Sequence, residues 1–339
     1  MRGAQVVLGT WKGRDGAALV VDGQLDDLLI DPPDDRPEPG TVFRAVCDRP
    51  VKGQGGMFVR LPDGMTGFLR GTTGLAAGQA LTVQVTGHAE AGKAVPVTDR
   101  VLLKSRYAIV TPGAPGLNVA RSIRDEALRD ALLAAADAAL PKDRGTTGAI
   151  LRSAAADADG DVVADDLRAM WEAAARIMAE EGRAPERLLD GPGARERAWC
   201  DWSDVEDVAE GWEAHGIPDL IDDARGPALR LGAVTAHVEP TRALVAVDVD
   251  TAEAGAGAGL RANLAVAKAL MRALRVRGLG GQVVIDAAPM PKRDRRSVEA
   301  SLKAAARACT VETSFVGWTP LGHAELTRKR ERRPLEELL

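Results

Sequence analysis

Short alternating runs of apolar and polar positions fill the first hundred residues. Runs 5–8, 18–21 and 24–30 are rich in Val, Leu and Ile and predict three strands. The tract Asp31-Pro-Pro-Asp-Asp-Arg-Pro-Glu-Pro-Gly40 then breaks the pattern and marks a boundary. Strands return at 41–48, 56–61, 67–69, 80–88 and 93–98, with turns such as Pro62-Asp63-Gly64 between them. Five short strands in so compact a stretch predict a small closed barrel of the OB type. Beyond residue 100 the period lengthens. Residues 125–140, 165–181, 259–277 and 294–308 carry apolar positions at helical spacing, while 148–153, 244–248, 282–286 and 310–316 are strand-like. Residues 190–225 are acidic, hold Trp199, Trp202 and Trp212, and show weak periodicity. Strand and helix alternate from residue 228, so the chain as a whole is expected to be a multidomain α/β (α+β) protein.

Two of the strands end in aspartate. Leu244-Val-Ala-Val-Asp248 and Gln282-Val-Val-Ile-Asp286 are continuous apolar runs, the pattern of strands buried on both faces. A helix between them makes a right-handed crossover, which lays the strands side by side and parallel. Both carboxylates then emerge at the carboxyl edge of the sheet, where α/β folds bind ligands. Two ionised carboxylates that close repel each other, and a hard divalent cation removes the penalty. Asp248 and Asp286 are therefore the expected ligands of one Mg2+, with Mn2+ as a substitute. Asp250 turns the same way off its strand and is a third catalytic candidate. A cation held in this way suits phosphoryl chemistry. The chain has four histidines, His88, His215, His237 and His323, and none forms a recognisable nucleophile set.

Composition adds limits. With 339 residues, 45% hydrophobic, two to three domains are expected, and 3% aromatics leave the cores to Ala, Val and Leu. No apolar run reaches the ~20 residues of a membrane span, and the first residues lack the apolar stretch of a signal peptide, so a cytoplasmic location is expected. Cys47, Cys200 and Cys309 are widely spaced, which argues against a disulfide framework and a cysteine zinc site. The net charge of −5 is unevenly spread. Residues 258–310 hold eleven Lys/Arg against three acids, and 186–225 hold twelve acids against four arginines. The basic stretch coincides with the aspartate pair, which fits a polyanionic substrate or simply a solvated helix face. Lys292, Arg293 and Arg295 within it are candidates for phosphate contact. Phe58 and Phe68 in the barrel either stack on bases or fill its core, and Lys93 beside them is a further RNA-contact candidate. Arg152 and Ser153 end a strand and could hold a phosphate. Glu253 to Gly259 suggests a mobile loop beside the metal site, because it lacks dinucleotide-loop spacing. Gly278 to Gly281 is expected to cap a helix and turn. Arg328-Lys-Arg-Glu-Arg-Arg333 is either a solvated helix end or an RNA contact.

Taken in order, Ala246-Val-Asp-Val-Asp250, Asn263-Leu264, Leu274-Arg-Val-Arg-Gly-Leu-Gly-Gly281, Val284-Ile-Asp286 and Glu325-Leu-Thr-Arg-Lys-Arg330 resemble the catalytic region of the ribonuclease E/G family. Ala18-Leu-Val-Val-Asp-Gly23, Met57-Phe-Val with Thr66-Gly-Phe-Leu69, and Gly148-Ala-Ile-Leu-Arg-Ser153 resemble the family's opening strands, OB-fold module and 5′-end sensor. The resemblance implies an RNase H-like subdomain (1–34 with 187–227), an OB module (38–100), a sensor-like region (101–186) and a DNase I-like catalytic subdomain (228–339). It implies Mg2+ on Asp248 and Asp286, single-stranded RNA on Phe58 and Phe68, and a 5′-monophosphate on Arg152 and Ser153. The implied reaction is endonucleolytic hydrolysis of single-stranded RNA, in RNA processing or decay, leaving a 5′-phosphate. Asp250 stands where the family usually has asparagine. An ionised carboxylate lacks the amide's donor. The family's zinc-binding cysteine pair and the small domain after it have no counterpart here, so no zinc is expected and any oligomer would form without a zinc link. A non-catalytic RNA-binding relative is the main alternative, and a nucleotide-binding phosphotransferase the other.

Overall fold

The computed structural model describes residues 3–51, 55–71, 74–89, 92–252 and 255–339. The chain forms two compact units, Met1–Asp34 with Asp207–Leu339, and Asp35–Glu206.

The first unit opens with an antiparallel meander of β1 (Ala4–Trp11), β2 (Arg14–Val21) and β3 (Gln24–Ile30). The turns are Lys12-Gly13 and Asp22-Gly23, with positive φ at all four residues. Two-residue turns of that kind match the twist of paired strands.

The second unit begins with β4 (Val42–Val51), β5 (Gly56–Arg60), β6 (Thr66–Arg70), β7 (Ala80–Val85) and β8 (Val95–Thr98). They pair in the order β4-β5-β6-β8-β7, and β7 returns to β4, closing a five-stranded barrel of the OB-like kind the sequence predicts. Alternation sends Phe43, Met57, Val59, Leu69, Val83 and Val97 inward. Next come β9 (Leu103–Lys104), β10 (Ala108–Thr111), β11 (Gly116–Val119), α1 (Glu126–Ala139), β12 (Gly148–Leu151) and α2 (Gly160–Met178). The four strands make one sheet, and Leu132, Leu167, Trp171 and Ile177 of the helices pack with Val110 and Leu151. The helix expected over 165–181 starts earlier, because the Asp159 side chain accepts from the Asp161 N–H and caps it there. β13 (Glu186–Leu189) joins the barrel strand β4, and α3 (Ala194–Asp201) follows. Residues 187–206, grouped by sequence with the opening strands, thus lie in this unit.

Back in the first unit, β14 (Val208–Glu210) pairs parallel with β1, and α4 (Ile217–Arg225) follows. Trp212 lies across β1 and β2, donating from Nε1 to the Val7 carbonyl at 2.9 Å. Gly9 and Gly16 permit this, since a Cβ on either would stand 2.5 Å from the indole. Then come β15 (Ala228–Leu231), β16 (Val234–Pro240), β17 (Val245–Thr251), α5 (Ala258–Val276), β18 (Gly281–Asp286), α6 (Arg295–Ala308), β19 (Thr313–Trp318), β20 (Ala324–Arg328) and α7 (Leu335–Leu338). The six strands form one sheet in the order β15-β16-β17-β18-β20-β19.

β17 and β18 are parallel neighbours, as the crossover argument requires. Their expected burial on both faces is corrected. Val245, Val247, Val249, Val283 and Ile285 pack against Val266, Leu270 and Leu274 of α5 and Leu302 of α6. Both helices cover that one face, so Ala246, Asp248, Asp250, Val284 and Asp286 face outward. α5 stops where Gly278, at φ +64°, turns the chain and the Leu279 N–H reaches the Leu274 carbonyl at 2.8 Å. The basic stretch 328–333 is not a helix end: Arg328 closes β20 and Lys329 beside it is exposed. Arg328, Arg332 and Arg333 are inserted into the protein, donating to Thr313, Asp27 and Asp34. Arg275 of α5 joins this buried network through Asp26, at 2.5 Å, and Asp27.

Candidate functional site

The β17–β18 register sets Asp248 directly beside Asp286. Asp286 is the last residue of β18, whereas Asp248 lies within β17, so the pair sits on the open face of the sheet rather than in a crevice beyond its strands. Neighbouring parallel strands stand about 4.8 Å apart, so the two carboxylates share one patch of solvent. The Asp286 side chain is 66% exposed. Asp250 projects from the same face but lies one side-chain step further on, opposite Thr235 of β16. Among the described residues neither Asp248 nor Asp286 has a Lys or Arg partner, and no three His, Cys, Asp or Glu side chains form a ready-made metal cage. Two exposed hard oxygen donors without a cationic neighbour are the chemistry that a hydrated Mg2+ takes, since it keeps several of its waters.

Asp286 is held from behind by α5. Asn263, 3% exposed, accepts from the Ala288 N–H and donates to the Ala288 carbonyl, both at 2.9 Å. That pair of hydrogen bonds fastens the chain two residues past the carboxylate. Lys292, Arg293 and Arg295 lie on the same continuation, in a short turn and at the start of α6. Lys292 and Arg293 are exposed, and the Arg295 guanidinium stacks 5.0 Å over the Trp318 ring. Of the loop expected at 253–259, Glu253 and Ala254 lie outside the described residues.

Two residues of this face were missed by sequence reasoning. His237 of β16 stands opposite Asp248, and His323, just ahead of β20, places Nδ1 3.2 Å from the Asp286 Oδ1. Together with the aspartates they line an open hollow on the sheet. The alternation Val234-Thr-Ala-His-Val-Glu239 could have marked His237 as outward-facing. His323 carried no such signal, because its neighbour on the sheet is distant in sequence.

In the second unit Phe58 and Phe68 are cross-strand partners on β5 and β6. Their rings are 5.5 Å apart and tilted by 57°. Both are partly exposed, on the face opposite the barrel core, which decides against the core alternative. Arg49 lies 5.5 Å over Phe58 and Arg70 6.0 Å over Phe68. Aromatic faces flanked by guanidinium groups suit stacking on single-stranded bases. Lys93 is exposed in the loop before β8.

Arg152 directly follows β12 and is already engaged. It donates to the Ser105 and Arg106 carbonyls, the latter at 3.2 Å, and lies 3.9 Å from Asp201. Ser153 beside it is exposed. Nearby, Arg106 stacks 3.8 Å over Trp199. Burial pushes the Cys200 thiol up to about 11, with the Asp201 charge adding to it. Cys309 in the first unit behaves differently. Burial acts to raise its pKa, but the Arg328 hydrogen bond and charge, with the Arg275 charge, bring it below the ordinary thiol value.

The fold and the site together define a mixed α/β protein with an OB-like barrel and a carboxylate-bearing sheet. The ribonuclease E/G family model matches residues 102–210 and 206–331. The chain belongs to that family. It is 29% identical over 308 residues to ribonuclease G of Escherichia coli K12, an alignment that covers 77% of this chain and 62% of the relative. It is 27% identical to ribonuclease E of Nostoc over 311 residues, covering 78% and 45%. With ribonuclease E of Synechocystis it shares 24% over 98% of this chain and 56% of the relative. The chain therefore spans less than two thirds of the length of these relatives.

Proposed function

We propose that this chain is a magnesium-dependent endoribonuclease that hydrolyses single-stranded RNA and leaves a 5′-phosphate on the downstream product. The reading rests chiefly on the registered Asp248–Asp286 pair, exposed on the open face of a sheet in a ribonuclease E/G family member. In this reading the two carboxylates hold Mg2+, and Asp250 orients substrate or water near it. The ion's chemistry is to lower the pKa of a water and neutralise charge growing on phosphorus. Asn263 keeps Asp286 in place through the Ala288 backbone. Lys292, Arg293 and Arg295 draw the phosphate backbone toward the end of β18. Phe58 and Phe68 stack on unpaired bases, with Lys93 as an added phosphate contact, and Ser153 with Arg152 meets the 5′-phosphate. The first unit is read as an RNase H-like part around β1–β3 and a DNase I-like part over 228–339.

The test is incubation of a fluorescent 5′-monophosphorylated oligoribonucleotide with and without Mg2+. Cleavage that needs the ion and yields 5′-phosphate ends is expected. Tight RNA binding without cleavage in Mg2+ or Mn2+ would overturn it in favour of a non-catalytic RNA-binding role.

A further inference from the structure

We infer that His323 is a positioning residue for Asp286, fixing one carboxylate oxygen so that the other is presented to a divalent cation. The inference rests on the reading of Asp286 as a metal ligand. His323 Nδ1 is shut off from solvent and, among the described residues, has no close polar partner except Asp286 Oδ1 at 3.2 Å. A buried ring nitrogen turned toward a carboxylate must carry hydrogen, because two facing lone pairs would repel. At 3.2 Å the two atoms lie within ion-pair distance but do not meet hydrogen-bond geometry, and a rotation of the exposed Asp286 carboxylate would align them.

The imidazole is itself held in place. Its backbone N–H donates to Thr319 Oγ1 at 3.0 Å, and the His323 carbonyl accepts from the Thr319 N–H at 2.8 Å. Gly322, at φ +102°, closes this turn. The ring thus approaches from β20 while Asn263 holds the chain after Asp286 from α5. Asp286 is braced from two elements, and Asp248 lies beside it on the neighbouring strand. Partners that orient metal-binding side chains typically change metal affinity about 10–100-fold when removed.

The experiment measures Mn2+ binding to the full chain without RNA, by titration calorimetry and by electron paramagnetic resonance. Wild type is expected to bind one ion saturably. His323→Phe should weaken binding about tenfold or more, whereas His323→Asn, which keeps a donor near the Nδ1 position, should stay within about threefold. Thr319→Val, which loosens the turn without touching the ring, should fall between them, and it serves if the Phe variant does not fold. Binding by His323→Phe or Thr319→Val indistinguishable from wild type would overturn the inference and leave the magnesium reading standing. Absence of saturable binding by wild type would overturn both. A nitrogen coupling to bound Mn2+ that disappears in His323→Phe would make His323 a ligand and overturn the positioning role.

Discussion

Replacing Asn263 by leucine keeps its branched shape but removes both hydrogen bonds to Ala288, a residue 3% exposed. The Ala288 N–H and carbonyl then stay buried without partners. Leaving a buried polar group unsatisfied costs about 1–3 kcal/mol, so the pair sums to about 2–6 kcal/mol. For a unit of this size each kcal/mol lowers Tm by roughly 2–4 °C, which puts the expected loss between about 4 and 24 °C. Thermal unfolding followed by circular dichroism measures it, and amide hydrogen exchange localises it. The Ala288 amide should lose protection ahead of residues in β17. A variant that melts within about 1 °C of wild type, with Ala288 still protected, would refute the claim that Asn263 anchors the chain behind Asp286.

Phe58→Ala and Phe68→Ala should each weaken single-stranded RNA binding by about 5–150-fold, since a base stacked on an aromatic ring is worth ~1–3 kcal/mol. Their Tm should hardly move, because both rings lie outside the barrel core; fluorescence anisotropy with parallel melts checks the split, and a large Tm loss with unchanged affinity would contradict it. Arg152→Ala should slow cleavage of 5′-monophosphate RNA relative to 5′-hydroxyl RNA. An equal fall on both substrates together with a lower Tm would mean that its bonds to the Ser105 and Arg106 carbonyls are its whole role. Thiol labelling gives a pH-dependent check: thiolate accumulates as pH rises through each thiol's pKa. Near pH 8 Cys309, lowered by Arg328 and Arg275, should therefore be alkylated ahead of Cys200, raised to about 11. Mass spectrometry reads the order, and Cys200 labelling first would contradict it.

What the sequence made legible was local. The apolar stripe of α5, the three opening strands and the parallel placing of β17 beside β18 all follow from spacing within a few dozen residues. The outward aspect of Phe58 and Phe68 was left open, because alternation gives two faces without saying which one closes on the core. Burial of β17 and β18 was misread for the same reason: Ala246 and Val284 look like core residues, yet both helices settled on the opposite face. The insertion of β20 between β18 and β19 is a long-range pairing with no local signature. It brings His323 to Asp286 and draws the arginines of 328–333 into the interior, where sequence alone suggested a surface run.

The central claim is that Asp248 and Asp286 jointly hold the cation that makes RNA hydrolysis possible. Single-turnover cleavage of a 5′-monophosphorylated oligoribonucleotide by Asp286→Asn, in saturating Mg2+, tests it most directly. The substitution keeps the shape and removes the charge, so a rate lowered by on the order of a thousandfold is expected, as for loss of a key electrostatic group, with RNA affinity and Tm unchanged. Cleavage at the wild-type rate would contradict the assignment.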